Sequence, residues 1–222
     1  MEHQFQKNKR TPRLNKPLSK KSKLILLTMF AVNLAVYYPS QLFGTVGTPK
    51  DISTSLDAVV SFDARWVFIY GLAFVFWAIS YATLSRFEGW SDIAAAEMIA
   101  KISCIFFFIF LPTTNSRPIL YGGSFSETIL GLLYTLDKPL NLFPSIHCFD
   151  SWICGRCLFS SKHIPTAYRV FALLFSVLVL ISVLKTRQHV IIDVIGGVLL
   201  AELGLALSRK FGWGRVIDKL FK

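Results

Sequence analysis

Six apolar segments, separated by shorter polar stretches, run along the chain between residues 24 and 207. An apolar helix of about 20 residues is long enough to cross the hydrocarbon core of a bilayer. The pattern therefore predicts an all-α integral membrane protein, a bundle of six transmembrane helices. The predicted spans are 24–43, 66–84, 93–111, 144–159, 167–184 and 190–207.

Two of the connecting loops carry weaker helical patterns. The spacing of apolar residues predicts a short amphipathic helix around Ile52 to Val60. A second pattern, from Ser126 to Leu136 in the loop 112–141, is typical of a helix that lies at a membrane surface. In the sixth span, Gly196-Gly197 permits close contact with a neighbouring helix.

Composition and charge agree with this class of protein. Hydrophobic residues make up 53% of the chain and charged residues only 17%, which excludes an ordinary soluble domain. Of the 24 Lys and Arg residues, eight lie in the first 23 positions and five in the last fourteen. Such placement indicates cytoplasmic anchors on an anionic membrane surface, not a nucleic-acid interface. We therefore divide the chain into a basic tail (1–23), a membrane domain (24–208) and a second basic tail (209–222).

The bias of basic residues also predicts the orientation. Both tails and the basic loop 160–169 are expected in the cytoplasm, as in a multi-pass protein of the plasma membrane. The starts of the fourth and sixth spans then lie on the extracytoplasmic face. Five residues whose side chains could take part in binding or catalysis lie on that face. They are Arg117, Ser145, His147, Arg187 and His189.

The start of the sixth span carries the most suggestive pair. His189 and Asp193 are four residues apart, so their side chains share one face of a helix. A carboxylate beneath an imidazole fixes its tautomer and leaves the other ring nitrogen free to attack. The alternative is that the two residues are only polar groups that cap the helix.

The start of the fourth span adds an anion site to this pair. Pro144 suits the first position of a helix, and the free N–H groups of the next three residues would then point outward. Ser145 adds a hydroxyl donor, and Arg117 and Arg187 add guanidinium forks that match phosphate. Together with His147 and His189, this set suits phosphoryl transfer. Taken singly, the arginines could be interfacial anchors, His147 a hydrogen bonder at the helix mouth and Ser145 a cap.

Other polar residues within the spans have simpler interpretations. Glu97 and Lys101, four residues apart in the third span, are expected to neutralise each other. The four cysteines are expected to be free and buried. Cys154-Gly-Arg-Cys157 has neither a second pair nor a histidine partner, as a metal site would require.

The two motifs resemble a known family. Phe143-Pro-Ser-Ile-His147, followed by Arg187-Gln-His189-Val-Ile-Ile-Asp193, is similar to the second and third signatures of the type 2 phosphatidic acid phosphatase superfamily. Arg117-Pro118 resembles the end of the first signature. The resemblance implies a phosphohistidine mechanism without metal or other cofactor. By this resemblance His189 is the nucleophile and Asp193 orients it. His147 is then the general acid and later the base, while Arg117, Ser145 and Arg187 hold the phosphate.

The chain departs from the family pattern at three positions. Phe110 stands where the first signature usually has lysine, and Ile146 where the second often has glycine. The third signature usually opens with Ser-Arg, whereas Ser182 is followed by Val183. Such degenerate patterns also occur in branches that transfer phospho-headgroups between lipids.

The resulting expectation is a membrane phosphatase that acts on a lipid phosphate or diphosphate at the outer face. Its partners would be that lipid and the bilayer, with no nucleic acid; the oligomeric state is not specified. One alternative is a transferase that passes the phospho-headgroup to another alcohol. Another is a non-enzymatic anion-binding or transport protein, since ionisable residues inside spans often line transport paths.

The first prediction concerns topology. A cysteine placed at Ser124 should react with an impermeant thiol reagent in intact cells, because the loop 112–141 is expected outside. A cysteine at Lys7 should react only after permeabilisation. The reverse labelling pattern would move the site to the cytoplasmic face.

Overall fold

A computed structural model describes residues 17–43 and 47–222 of the chain. It is mostly helical, at 71%, with eight α-helices in the described residues. Most of the predicted N-terminal basic tail, residues 1–16, lies outside them. The helices are α1 (Lys20–Phe43), α2 (Val67–Leu84), α3 (Trp90–Phe110), α4 (Phe125–Leu136), α5 (Ile146–Ser160), α6 (Thr166–Lys185), α7 (Ile191–Phe211) and α8 (Gly214–Leu220).

The helical class predicted from hydropathy is confirmed. Four helical segments are long and apolar enough to cross a membrane. They are Ala64–Leu84, Trp90–Phe110, Thr166–Lys185 and Ile191–Phe211. Helix α5 has 15 residues, about 22 Å at 1.5 Å per residue, which is shorter than a bilayer core. The count of six spans and the cytoplasmic position of both termini stay predictions.

The two loop helices are also found. The surface helix predicted from Ser126 is α4, whose N-cap Ser124 accepts a hydrogen bond from the Glu127 amide. The predicted amphipathic helix near residue 52 is shorter, a 3-10 helix at Ser55–Val59. A second 3-10 turn, Ala64–Trp66, leads into α2, and two-residue strands β1 (Lys50–Asp51) and β2 (Thr113–Thr114) pair in parallel.

The outer faces of the apolar helices expose large hydrophobic side chains. Leu72 of α2, Ile102 of α3, Leu174 of α6 and Leu203 of α7 are each more than half exposed. Water would disfavour so large an apolar surface, whereas lipid chains accept it. The surface of the bundle is therefore compatible with a membrane protein.

Helix α5 lies at the centre of the bundle, in contact with α2, α3, α6 and α7. Its core-facing side chains Phe149, Ile153 and Leu158 are almost completely buried. The four cysteines, of which three lie on α5, are free and buried, as predicted. Because α5 is enclosed by protein, its polar residues need not face lipid.

The glycine pair of α7 lets α5 approach closely, as the sequence predicts. A Cβ atom added to Gly197 would lie 2.5 Å from the Ser145 carbonyl oxygen and 2.9 Å from Cys148 Cβ. A Cβ added to Gly196 would meet the Phe143 ring at 2.5 Å. Any larger residue would push the N-terminal ends of the two helices apart.

A buried ionic cluster joins α3 to α5. Lys101 forms the predicted ion pair with Glu97, and its Nζ also lies 3.2 Å from Asp150 Oδ2. The Tyr81 hydroxyl donates to Asp150 Oδ1 at 2.7 Å. Asp150 therefore shares the Lys101 cation with Glu97 and ties α2, α3 and α5 together.

The second prediction tests this cluster. Lys101→Met should lower the free energy of unfolding in detergent by about 3–5 kcal/mol, since it leaves two buried carboxylates without their cation. Lys162→Met, at an exposed loop position, is the matched control and should change little. Equal stability of the two variants would show that the cluster contributes nothing to the fold.

Candidate active site

The N-terminal ends of α5 and α7 meet and bring the two candidate histidines together. The Ser145 amide donates to the Asp193 carbonyl oxygen at 3.2 Å. The imidazole centroids of His147 and His189 lie 5.8 Å apart, although 42 residues separate them in the chain. One small ligand can therefore contact both rings.

His189 lies two residues before α7 and is held by the first turn of that helix. Its Nδ1 lies 3.2 Å from Asp193 Oδ2, and the Val190 amide donates to the same oxygen at 2.9 Å. Asp193 is fully buried, so its carboxylate has few other positions to adopt. With Nδ1–H donating to the carboxylate, Nε2 is left with its lone pair available.

His147 is held by aromatic side chains. Its Nε2 lies 2.7 Å from the Tyr70 hydroxyl. The rings of Tyr70, Phe74 and Trp77 surround the imidazole, with centroids 4.8, 5.9 and 5.4 Å away. Asp150, three residues along α5, pairs with Lys101 instead of this histidine.

Arg117 brings positive charge to the histidines. Its two terminal nitrogens donate to the Asp137 carbonyl and to Gln188 Oε1, each at 2.6 Å. The guanidinium also lies over the Tyr134 ring, 4.4 Å from its centroid. Burial lowers the pKa of Arg117, and the nearby Asp137 carboxylate opposes this effect. A guanidinium nevertheless stays charged in proteins.

These groups line one narrow cleft, whose free space is about that of one water molecule. Three of the six predicted site residues line the cleft, namely Arg117, His147 and His189, and Asp193 supports His189 from below. The other lining residues are Tyr37, Phe108, Asp137, Leu140, Asn141, Leu142, Ile146 and Gln188.

Ser145 and Arg187 do not line this cleft. Helix α5 begins at Ile146, two residues later than the sequence suggests, so Pro144 precedes the helix and Ser145 is its N-cap. The Ser145 hydroxyl, fully buried, accepts from the Cys148 amide at 3.2 Å. It is therefore occupied in capping the helix.

The guanidinium of Arg187 is directed to a different part of the chain. It donates to the carbonyls of Asp57 and Val60 at 2.9 and 2.8 Å. Its backbone lies in the left-handed region, with φ 52°. Of the two arginines, Arg117 is thus the one that lines the cleft, and the phosphate-binding roles stay predictions.

Asp57 is a residue that the sequence analysis missed. It is buried, and its Oδ1 accepts from the Ile191 amide at 2.7 Å, at the first residue of α7. Its Oδ2 accepts from the amide and hydroxyl of Thr54 at 2.7 and 2.8 Å. Burial acts to raise the pKa of Asp57, but these hydrogen bonds hold it below the ordinary value. Asp57 therefore caps α7 from a distant segment.

Gln188 and Tyr70 were also missed, although both contact the predicted residues directly. Gln188 immediately precedes His189 in the motif that runs from 187 to 193, so its position could have indicated a place in the site. Nothing in the local sequence of α2 marks Tyr70, because its partner His147 is 77 residues away. In the described residues, no group of three or more His, Cys, Asp or Glu side chains could hold a metal ion.

Comparisons with known proteins add one finding. A family model described as the PAP2 superfamily matches residues 54–207, which include both motifs and the helices α2 to α6 with most of α7. No curated protein and no solved structure gives a significant match.

The third prediction concerns Asp57. Asp57→Ala should lower the free energy of unfolding by about 1–2 kcal/mol, because the first amide of α7 loses its cap. Hydrogen–deuterium exchange should rise in the peptide that contains His189 and Ile191. Asp51→Ala, an exposed carboxylate in the same segment, is the control and should leave that peptide unchanged. Unaltered exchange in Asp57→Ala would contradict the capping role.

Proposed function

Because the chain belongs to the PAP2 superfamily, we propose that it hydrolyses a lipid phosphate or diphosphate through a phosphohistidine intermediate. Membership of this superfamily suggests phosphatase-type activity. The observation that carries the finer proposal is the pair of imidazoles at one cleft, one backed by a carboxylate. An oriented base beside a second proton carrier is what a two-step transfer requires.

In the first step, Nε2 of His189 attacks phosphorus and the bond from phosphorus to the leaving oxygen breaks. Asp193 stabilises the positive charge that develops on the ring, through the Nδ1 contact of 3.2 Å. His147, in its protonated form, gives its proton to the leaving oxygen. The products of this step are a lipid alcohol, or a lipid phosphate from a diphosphate, and phosphorylated His189.

In the second step, His147 accepts a proton from water as the water oxygen bonds to phosphorus. The P–N bond breaks and its electron pair returns to Nε2 of His189. Phosphate leaves, and His147 again carries the proton that the next cycle needs. No metal or other cofactor takes part in this proposal.

Positive charge and amide dipoles hold the phosphoryl group. Arg117 lines the cleft beside both histidines. The first amides of α5, at Ile146 and His147, lack i−4 partners within the helix and provide further donors. Ser145 and Arg187 are not included here, because the structure occupies their polar groups elsewhere.

The setting of this chemistry is also part of the proposal. We place the protein in the plasma membrane with six spans, with α1 and α5 joining the four long apolar segments. Both basic ends lie in the cytoplasm and the cleft opens to the extracytoplasmic face. The exposed apolar faces of α2, α3, α6 and α7 support the membrane location, and the lipid tail would remain in the bilayer.

A second candidate is transfer of the phospho-headgroup to another alcohol. The enclosure of His147 by Tyr70, Phe74 and Trp77 favours it, since a water-poor site slows hydrolysis of the phosphoenzyme. Purified protein should be given a panel of lipid phosphates, with and without lipid alcohols. Free phosphate supports hydrolysis, and a newly phosphorylated alcohol supports transfer. Binding of phosphate with neither product would support the anion-binding alternative.

The fourth prediction separates the two histidines. His189→Ala should abolish both the phosphoenzyme and turnover, because no nucleophile remains. His147→Ala should reduce turnover of a lipid phosphate by ~10²–10⁴-fold. It should still form phosphoenzyme slowly from an aryl phosphate, whose leaving group needs no proton. Labelled substrate and an alkaline quench, in which a P–N bond survives, measure this directly.

The control for this experiment is His163→Ala, an exposed loop histidine that should behave as wild type. Label that persists in His189→Ala and vanishes in His147→Ala would reverse the roles assigned to the two residues.

A further inference from the structure

Gln188 lies in the cleft with only one end of its side-chain amide hydrogen-bonded. Its side chain is only 2% exposed and lines the cleft together with His147, His189 and Arg117. Its Oε1 accepts a hydrogen bond from Arg117 at 2.6 Å. Its Nε2 is buried and has no hydrogen-bond partner among the described residues. A buried amide donor without a partner destabilises the fold, so its retention requires an explanation.

The direction of this amide group follows from its partner. An arginine has only donors, so the atom that faces Arg117 must be the oxygen. The NH₂ group, at the other end of the amide, therefore points away from Arg117. The backbone is fixed as well, because the amides of Gln188 and His189 both donate to the Val183 carbonyl, at 3.0 and 3.1 Å. The donor is thus held in place before any ligand binds.

The charge balance of the cleft indicates what this donor serves. The structure turns Arg187 toward the carbonyls of Asp57 and Val60, so Arg117 is the arginine that lines the cleft. A phosphoryl group has three non-bridging oxygens and accepts several hydrogen bonds. A neutral amide next to the attacking histidine can bind one of these oxygens.

We propose that Gln188 is a phosphate-binding residue, whose NH₂ group donates to a non-bridging oxygen of the phosphoryl group that His189 attacks. This inference rests on the proposed function and deepens it. Through Oε1, the same side chain keeps Arg117 next to the ligand, so the amide and the guanidinium form one recognition unit. The Gln188 oxygen accepts from Arg117, and the Gln188 NH₂ group donates to the phosphoryl oxygen. No other group in the described cleft accepts a hydrogen bond from this NH₂ group.

Two substitutions separate phosphate binding from the mere positioning of Arg117. Gln188→Met keeps the length of the side chain but removes donor and acceptor. Gln188→Glu keeps the acceptor for Arg117, removes the donor and places a negative charge beside the phosphate. Asn115→Leu is the matched control, because it removes another buried amide, which donates to the Arg187 carbonyl outside the cleft.

The experiment measures two quantities on the full-length chain in detergent. One is the inhibition constant of inorganic phosphate against lipid phosphate turnover. The other is the binding of inorganic phosphate by thermal shift, which needs no turnover. We expect Gln188→Met to weaken phosphate binding by about 10- to 100-fold, the effect of losing one hydrogen bond to a charged group. Gln188→Glu should be weaker still, and Asn115→Leu should match wild type in both.

The order of the two variants is decisive. Phosphate binding in Gln188→Glu that equals or exceeds that in Gln188→Met would show that Gln188 serves only to position Arg117. Wild-type phosphate binding in both variants, with normal turnover, would overturn this inference and leave the proposed function standing. A wild-type chain that neither binds phosphate nor turns over a lipid phosphate would overturn the proposed function, and this inference with it.

Discussion

The close approach of α5 and α7 at their N-terminal ends is the constraint on which the rest of the site depends. Gly197 lies so near the Ser145 carbonyl that no side chain fits between them. The Ser145 amide in turn donates to the Asp193 carbonyl. Each helix contributes one histidine at its mouth, so the distance between the two helices sets the distance between the two imidazoles. A misplacement of reacting groups by about 1 Å can cost on the order of 10²-fold in rate, so this contact matters for any reaction at the two rings.

Once the two helices are in contact, polar groups from other segments hold the N-terminal end of α7 in place. Asp193 holds the ring of His189 from within the helix. The Val183 carbonyl at the end of α6 holds its backbone, and Asp57 caps the first amide of the helix from the far side. His147 is fixed in a different way, by aromatic rings and one tyrosine hydroxyl. Both imidazoles are thus set in orientation before a substrate arrives, which reduces the reorganisation that a reaction requires.

The parts of this arrangement that could be predicted are local in sequence. A spacing of four residues predicts the pairing of His189 with Asp193 and that of Lys101 with Glu97. The spacing of apolar residues predicts the helices themselves. Asp57 and Tyr70 could not be assigned, because each acts through a partner that the fold brings from elsewhere. Gln188 stands next to His189 in the sequence, but its contact with Arg117 comes from the fold. For Arg187 the sequence suggested a role at the site, but the fold directs its side chain to another segment. Its residue type suits phosphate, but a guanidinium is equally well satisfied by two backbone carbonyls, and only the fold decides between them.

The ionic cluster between α3 and α5 has a consequence for the order of assembly during synthesis. Glu97 and Lys101 are one turn apart on α3, so that helix can enter a bilayer as an internally neutralised unit before its neighbours exist. Helix α5 cannot do so, since it is short and carries Asp150, whose cation lies on α3. Helix α5 therefore gains its counter-ion only where α3 is already in place. The cleft, whose His147 lies on α5, thus depends on a lysine placed almost fifty residues before Asp150 in the chain.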